Sequence, residues 1–338
     1  MSSTFDNKKY LKTIVSEWLL IGLGVVFYYV FPFVSFYLSD FRNFGFIDHI
    51  DDRFNKLLIF ALVYAVLVPL LFYFKVAKGE DSKVTLFIEG LKQNIFRKDI
   101  FLSFLLKLFF IPMMYFGTIE YSWLFIDSFI YLIQNGVPAE FGGFKVFNQI
   151  VFPMFLHATL AIAVSVYLFG YCVENEKLGS KIKSIDSTWL GWIVTIICYP
   201  PFFAIMFYII PKADQDLAFF INEEITAFVR LFIMVVVLFK TWTIFTLGTK
   251  SSNLTNRGIV SHGPYRWMRH PHYLAKMIVW WICLIPSAVG HPWLIGGMIF
   301  WSTIYVLRAL TEELHLKKDP DYKEYMTKVK WRFIPGIY

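Results

Sequence analysis

The sequence predicts an all-α, polytopic integral membrane protein with about eight transmembrane helices. Of its 338 residues, 57% are hydrophobic and only 17% are charged, whereas charged residues make up roughly 25% of ordinary soluble domains. Apolar runs of about 20 residues recur along the chain, and a helix of that length crosses a hydrocarbon layer of about 30 Å. These observations exclude an ordinary soluble domain.

The apolar runs define the elements in chain order. The predicted spans are Trp18–Leu38, Leu57–Lys75, Ile100–Gly117, Val151–Cys172, Trp189–Ile210, Ile225–Thr246, Tyr273–Val289 and Trp293–Leu310. The first span is too long and aromatic for a cleaved signal peptide. The stretch Glu120–Asn135 is too short and acidic for a span, which favours an amphipathic helix at the outer face, with a re-entrant element as the alternative. We expect residues 1–188 to shape an acceptor tunnel and residues 189–338 to form the catalytic half.

Basic residues orient the predicted spans. The N-terminal arm, residues 74–99, 173–188 and 247–272 and the tail together hold 22 lysines and arginines, against 5 in the intervening loops. The positive-inside rule therefore predicts that both termini are cytoplasmic. The net charge of +7 fits anionic membrane lipids as partners, and no nucleic-acid-binding fold accompanies it. A bacterial inner membrane and the endoplasmic reticulum both fit, and the sequence does not indicate an oligomeric state.

One polar segment, Arg257 to Ala275, separates two apolar runs and reads RGIVSHGPYRWMRHPHYLA. Its glycine and prolines predict a shaped connection that enters a new helix. Its cations and aromatic rings suit a ligand that carries a carboxylate or phosphate and a flat ring. An alternative is a membrane-interface anchor, which explains the arginines and tryptophan but not the histidines spaced by proline.

The stretch GPYRWMRHPHY resembles the signature of the isoprenylcysteine carboxyl methyltransferase family, to which phospholipid methyltransferases are related. The resemblance extends over Thr243 to Tyr338. In the order typical of that family, Arg308 precedes the pair Glu312 and Glu313, and a tail follows that contains Tyr322, Tyr325 and Pro335. The chain departs from the pattern at Arg257, where many members have histidine, with His262 displaced from that place, and at Ala275, where glycine is usual.

The resemblance implies a membrane methyltransferase that takes S-adenosylmethionine from the cytoplasm and methylates a lipophilic acceptor, either a prenylated molecule or a lipid. The family's cofactor-binding residues correspond to Arg269, His270, Tyr273 and the two glutamates. From the residues themselves, Arg269 or Arg266 suits the cofactor carboxylate, a tyrosine suits adenine or the sulfonium, and a glutamate suits the ammonium or ribose. The predicted cofactor-binding set is Tyr265, Arg266, Arg269, His270, Tyr273, Glu312, Glu313 and His262.

The predicted catalytic set is Arg269, Glu312 and Glu313. A carboxylate acceptor needs no general base, whereas an amine or hydroxyl acceptor needs one, which either glutamate can supply. Neighbouring helix residues point about 100° apart, and the flanking apolar pattern favours Glu313 as the one that faces the pocket. We expect the tail, Thr311 to Tyr338, to fold over the cofactor and bury its aromatic residues.

The alternative function is an NADPH-dependent sterol-type reductase. The final VKWRFIPGIY resembles the terminal segment of those membrane enzymes, but Ala275 and Lys276 stand where their pattern has Gly-Asp. No metal site is predicted, because the histidines lack ligand spacing. The three cysteines, Cys172, Cys198 and Cys283, are interpreted as small core residues. Lys240 is a candidate for the cavity lining, whereas Lys276 and Arg308 can snorkel to the interface.

Overall fold

The computed structural model describes residues 6–30, parts of 62–73, residues 82–209 apart from 175, 177 and 201, and residues 218–337. The first helices in this part are α1 (Asn7–Val30), α2 (Lys83–Lys92), α3 (Lys98–Asn135) and α4 (Gly143–Cys172). They are followed by α5 (Trp189–Ile196), α6 (Ala204–Ile209), α7 (Glu223–Leu247), α8 (Pro271–Gly290), α9 (Trp293–Leu316) and α10 (Pro320–Lys328). Two short strands, β1 (Ser184–Ile185) and β2 (Thr255–Asn256), pair antiparallel.

Five of the described helices, α3, α4, α7, α8 and α9, are long and apolar enough to cross a membrane. They correspond to five of the predicted spans, which confirms an all-α, multi-pass membrane protein. Residues 31–38 of the first predicted span, and most of the predicted span Leu57–Lys75, lie outside the described residues.

Helix α3 corrects the interpretation of Glu120–Asn135. This stretch is neither a separate interfacial helix nor a re-entrant element, because it continues α3 without a break over 38 residues. At 1.5 Å per residue the helix is roughly 57 Å long, well beyond the apolar layer. Acidic residues do not stop a helix, and the first strong stop signal is Gly136, which ends α3 with a positive φ of 70°.

The predicted span Trp189–Ile210 is also wrong as a continuous helix. The structure divides it into α5 and α6, which are separated by turns. The sequence has consecutive prolines at positions 200 and 201, and proline lacks the amide hydrogen that a helix requires. The interruption places Tyr199 in a turn beside the site described below.

The basic segments meet on one face of the molecule. Pairing of Ser184 with Asn256 joins residues 173–188 to residues 247–272, and Lys183 Nζ lies 3.4 Å from a carboxylate oxygen of Asp319 in the tail. Lys83, just before the first long span, lies 3.3 Å from Glu174. This common face agrees with the grouping that the charge pattern predicts, and its cytoplasmic location stays a prediction.

An aromatic core lies between α5, α6, α8 and α9. Trp301 and Tyr305 of α9 are fully buried and pack with Trp280 of α8 and Phe203 in the turn before α6. Ring pairs such as Phe203 with Trp301, whose centroids are 5.5 Å apart, fix the relative positions of these elements. The polar site lies at the basic end of this core.

Candidate functional site

A narrow pocket lies where α9 meets the β1–β2 pair and the start of α8. In this conformation it has room for about one water molecule, so a larger ligand requires the side chains to move apart. Nine of its ten lining residues, all except Leu254, have polar side chains, and charges of both signs are present: Asp186, Thr195, Asn253, Leu254, Thr255, Tyr273, Arg308, Thr311, Glu312 and His315.

Arg308 is the cation of the pocket. Its side chain is 4% exposed and donates hydrogen bonds to Asn253 Oδ1 and, over 3.1 Å, to the Tyr199 hydroxyl. The guanidinium carbon lies 5.1 Å from the Tyr199 ring centroid and 5.0 Å from that of Tyr273. Across the described part of the chain, Arg308 forms no ion pair with a carboxylate. Arg308 therefore does not snorkel to the interface but is buried among neutral groups.

Glu312 supplies a carboxylate to the same pocket. It lies one helical turn after Arg308 and accepts a hydrogen bond of 2.7 Å from the Tyr273 hydroxyl. A second carboxylate, Asp186, also lines the pocket and accepts hydrogen bonds from the amide and hydroxyl of Thr188 at the start of α5. Glu312 therefore lines this pocket, whereas Glu313, which the sequence favoured, does not.

Glu313 points toward the tail instead and is 1% exposed. One carboxylate oxygen lies 2.7 Å from Arg269 Nε and 3.2 Å from His270 Nε2, and the other lies 3.1 Å from Arg332 Nε. Arg269 also donates hydrogen bonds of 2.9 Å to the carbonyl oxygens of Val329 and Lys330. In this conformation Arg269 and Glu313 thus join the loop, α9 and the tail.

The GPYR and HPHY parts of the loop form the shaped connection that the sequence predicts. Gly263 has a positive φ of 57°, and a Cβ at this position would lie 2.8 Å from the Thr246 hydroxyl. A short 3-10 turn, Gly263–Arg266, follows, and α8 begins at Pro271, where proline is well tolerated. The His270 ring stacks on the Tyr273 ring, with centroids 5.5 Å apart and planes at 5°.

The remaining predicted residues lie away from the pocket. Tyr265 is buried, and its carbonyl accepts a hydrogen bond of 2.7 Å from the Tyr325 hydroxyl; burial raises the pKa of the Tyr265 phenol well above its ordinary value. The Arg266 guanidinium lies 4.6 Å from the Trp267 ring centroid and is exposed. His262 is exposed before the turn. Of the predicted set, only Tyr273 and Glu312 line the pocket.

Eight of the ten pocket residues are absent from the predicted set, and Arg308, Asn253 and His315 are the most informative of them. Arg308 stood out in the sequence only as part of the resemblance. Asn253 follows a serine pair in a loop, with no signal to identify it, and is held by the Tyr171 hydroxyl of α4. His315 is buried with its Nε2 3.2 Å from the Ser184 hydroxyl, while its Nδ1 has no hydrogen-bond partner among the described residues.

Arg257 stands where the isoprenylcysteine carboxyl methyltransferase pattern usually has histidine. In this structure its side chain is buried and makes contacts within the fold. Its guanidinium donates hydrogen bonds to the carbonyl oxygens of Gly170 and, over 2.8 Å, Ser180. Burial lowers the pKa of this guanidinium, while the charge of Glu174 acts in the opposite direction. Arg257 therefore fixes the polar loop to the end of α4.

The tail packs on the loop and buries most of its aromatic residues, as predicted, but Trp331 is exposed; that the tail covers a cofactor stays a prediction. Tyr322, Tyr325, Val329 and Phe333 are buried, and the backbone amides of Arg269 and His270 donate to the carbonyls of Trp331 and Arg332 over 2.9 and 2.8 Å.

The described residues contain no group of three or more potential metal-ligating side chains. Cys172, Cys198 and Cys283 are free thiols.

Comparison with known proteins places most of this region in one family. Residues 149–329 match the family described as "Protein of unknown function (DUF1295)", whose members are membrane-associated and similar to steroid 5-alpha-reductases. An uncharacterized protein of Schizosaccharomyces pombe, C594.04c, is 34% identical over 86 residues, which cover 24% of this chain and 25% of that protein. No solved structure matches the chain. Because the family match spans more than half of the sequence, the chain belongs to the DUF1295 family.

Proposed function

We propose that this member of the DUF1295 family is an integral-membrane methyltransferase that uses S-adenosylmethionine and acts on a lipophilic acceptor. The observation that supports this most directly is that one pocket contains both Arg308, a buried cation that forms no ion pair within the described residues, and the carboxylate of Glu312. Buried charges are normally paired, so an unpaired guanidinium in a pocket marks a place for an anionic group of a ligand.

The pocket residues fit the charge pattern of S-adenosylmethionine. Arg308 suits the carboxylate of its amino-acid part, and the carboxylates of Glu312 and Asp186 suit the ammonium group and the ribose hydroxyls. The ring of Tyr273 suits a cation such as the sulfonium. His315 Nδ1, which has no hydrogen-bond partner within the described residues, offers one further polar contact.

In this proposal the residues of the chain bind the cofactor and orient it for transfer. When bound, S-adenosylmethionine supplies an activated methyl group. Tyr273 holds the Glu312 carboxylate in one orientation through its hydroxyl, and the Arg269–Glu313 pair closes the tail behind the loop. Such a wall excludes water and fixes the direction of approach, which is the main protein contribution to a displacement reaction. For an amine or hydroxyl acceptor, Glu312 is the carboxylate placed to accept the proton.

Charge separates this proposal from the reductase alternative. NADPH carries a pyrophosphate and a 2′-phosphate, and sites for it present several cations or helix N-termini to these groups. The pocket instead combines Arg308 with the carboxylates of Glu312 and Asp186, and two carboxylates repel a polyphosphate. A zwitterionic, sulfonium-bearing cofactor is complementary to this set.

The reductase remains a second candidate for two reasons. The family is similar to steroid 5-alpha-reductases, and the terminal segment resembles that of membrane sterol reductases. A reductase of this kind would consume NADPH in the presence of an unsaturated lipid and would incorporate no methyl group.

A transfer assay tests the proposal. Purified protein in lipid nanodiscs is incubated with S-adenosylmethionine that is tritiated in the methyl group and with a total lipid extract, with or without prenylcysteine. We expect labelled lipid or prenylcysteine from the native protein and strongly reduced labelling with Glu312→Gln. Glu324→Gln, an exposed tail residue outside the pocket, serves as the matched control. Oxidation of NADPH without any methyl incorporation would refute the proposal in favour of the reductase.

A further inference from the structure

A second concave surface, which we call the basic groove, lies between the loop and the tail. It has a volume of about 450 Å³ and is lined by Arg266, Trp267, Met268, Lys328, Val329, Lys330, Trp331 and Pro335. Its volume falls in the range of small-ligand sites. None of its lining residues belongs to the pocket that contains Arg308.

The basic groove is strongly cationic. Three of its lining residues carry a positive charge and none is acidic. Lys328 is paired with Glu324 at 2.6 Å. Within the described residues, Arg266 and Lys330 form no ion pair, and both are exposed. Two cations thus converge on the groove with their charge available for an anion such as a phosphate.

The backbone of the groove is held rigidly. The amide of Arg269 donates to the Trp331 carbonyl over 2.9 Å, and the Arg269 guanidinium donates to the carbonyls of Val329 and Lys330. Val329 and Met268 are buried beneath it. The cationic side chains therefore project from a fixed base, which reduces the ordering that ligand binding requires.

A lipid-facing stripe leads to the groove. Phe228, Leu231, Val235, Leu238 and Trp242 are exposed on α7 at spacings of three or four residues, which places them on one face of the helix. At its end the Trp242 ring meets the Trp267 ring of the groove edge to face, with centroids 5.7 Å apart. Tryptophan is typical of the level of lipid headgroups, so the groove lies at that level.

We propose that the basic groove binds the headgroup of an anionic phospholipid. Arg266 and Lys330 hold the phosphate, Trp267 and Trp331 cover the glycerol region, and an acyl chain follows the exposed stripe of α7. The site is separate from the cofactor pocket and does not depend on the methyltransferase proposal.

Native mass spectrometry tests this site directly. The protein in a neutral detergent is mixed with equal amounts of dioleoylphosphatidylglycerol and dioleoylphosphatidylcholine, which differ only in the headgroup. We expect a single retained phosphatidylglycerol and a roughly thirtyfold lower preference for it in Arg266→Ala/Lys330→Ala, since each of the two basic residues contributes about 1 kcal/mol to binding an anionic surface. Lys98→Ala/Lys323→Ala removes two exposed charges outside the groove and should keep the native preference.

Two further arms identify the ligand. Glycerol 3-phosphate at millimolar concentration should not displace the lipid, because it lacks the acyl chains that contact α7. Equal loss of preference in the groove and control variants would mean that net charge alone attracts the lipid and would overturn the proposal. Displacement by glycerol 3-phosphate or by NADPH would also overturn it, since the groove would then bind a soluble phosphate. The melting temperature of each variant in the same detergent shows that the fold is retained.

Discussion

The two buried arginines of the site should respond in opposite ways to the same substitution. Arg269 pairs with Glu313 and holds the tail, whereas Arg308 is buried among neutral groups and faces the pocket. Methionine keeps the approximate volume of arginine and removes its charge. Comparing Arg269→Met with Arg308→Met therefore separates a structural cation from a ligand-binding one.

The expected magnitudes follow from what each change leaves behind. Arg269→Met leaves the Glu313 carboxylate buried with only His270 and Arg332 beside it, and two tail carbonyls lose their donor. Removing one partner of a buried pair costs about 3–5 kcal/mol; because two partners of Glu313 remain, we expect about 3 kcal/mol.

Arg308→Met leaves Tyr199 donating to Asn253 Oδ1 over 3.0 Å, so neither Tyr199 nor Asn253 loses its only hydrogen-bond partner. Replacing a buried, unpaired charge by an apolar side chain is often neutral or stabilising. We expect an unchanged or higher melting temperature. Loss of a charge-assisted contact of about 2–3 kcal/mol should weaken binding of S-adenosylhomocysteine by about a hundredfold.

Thermal unfolding in detergent and calorimetric titration with S-adenosylhomocysteine measure the two effects. We expect Arg269→Met to melt at a lower temperature and, at temperatures where it stays folded, to bind the ligand. A stable Arg269→Met protein that has lost binding, together with an Arg308→Met protein that keeps it, would refute the assignment of the two arginines and would restore Arg269 as the cofactor ligand.

Three further outcomes are expected. Truncation after Lys318 should abolish methyl transfer and lower the melting temperature, because it removes the buried tail aromatics; full activity of the truncated protein would contradict this. In sealed cells, a cysteine replacing Ile221 should react with an impermeant reagent and one replacing Lys323 should not, and the reverse pattern would overturn the orientation. Burial tends to raise the pKa of Asp319, but hydrogen bonds, first that from Asn256, lower it overall. Its stabilising contribution is present at neutral pH and is lost as the pH falls through the lowered pKa, so Asp319→Asn should destabilise the protein at pH 7 and less near pH 3. An equal effect at both pH values would contradict it.

The sequence predicts the features that depend on local chemistry and hydropathy. The lengths of the apolar runs identify α3, α4, α7, α8 and α9, because a helix needs about 20 mainly apolar residues to cross the hydrocarbon layer. The glycine and prolines of the loop predict the turn before α8 because few other residues adopt that conformation at low free-energy cost. The aromatic pattern of the tail predicts its packing on the loop.

The features that sequence did not predict depend on contacts between distant parts of the chain. Glu312 lines the pocket and Glu313 faces the tail, the reverse of the expected arrangement, because a buried side of a helix can face either the pocket or the tail and only packing decides between them. Asn253 donates a hydrogen bond to the Tyr171 hydroxyl of α4 and accepts one from Arg308 of α9. The residues around Asn253 in the sequence do not predict these contacts. The sequence does not reveal that α3 continues through residues 120–135, because the acidic residues of this stretch are compatible both with a helix and with the end of a span.

The proposed cofactor is tested most directly by calorimetric titration of the purified protein with S-adenosylhomocysteine and, separately, with NADPH. A pocket that combines Arg308 with Glu312 and Asp186 should bind S-adenosylhomocysteine at micromolar concentration and show no saturable heat with NADPH, and Arg308→Met should lose the first signal. Saturable binding of NADPH that Arg308→Met abolishes, with no heat from S-adenosylhomocysteine, would contradict the methyltransferase proposal.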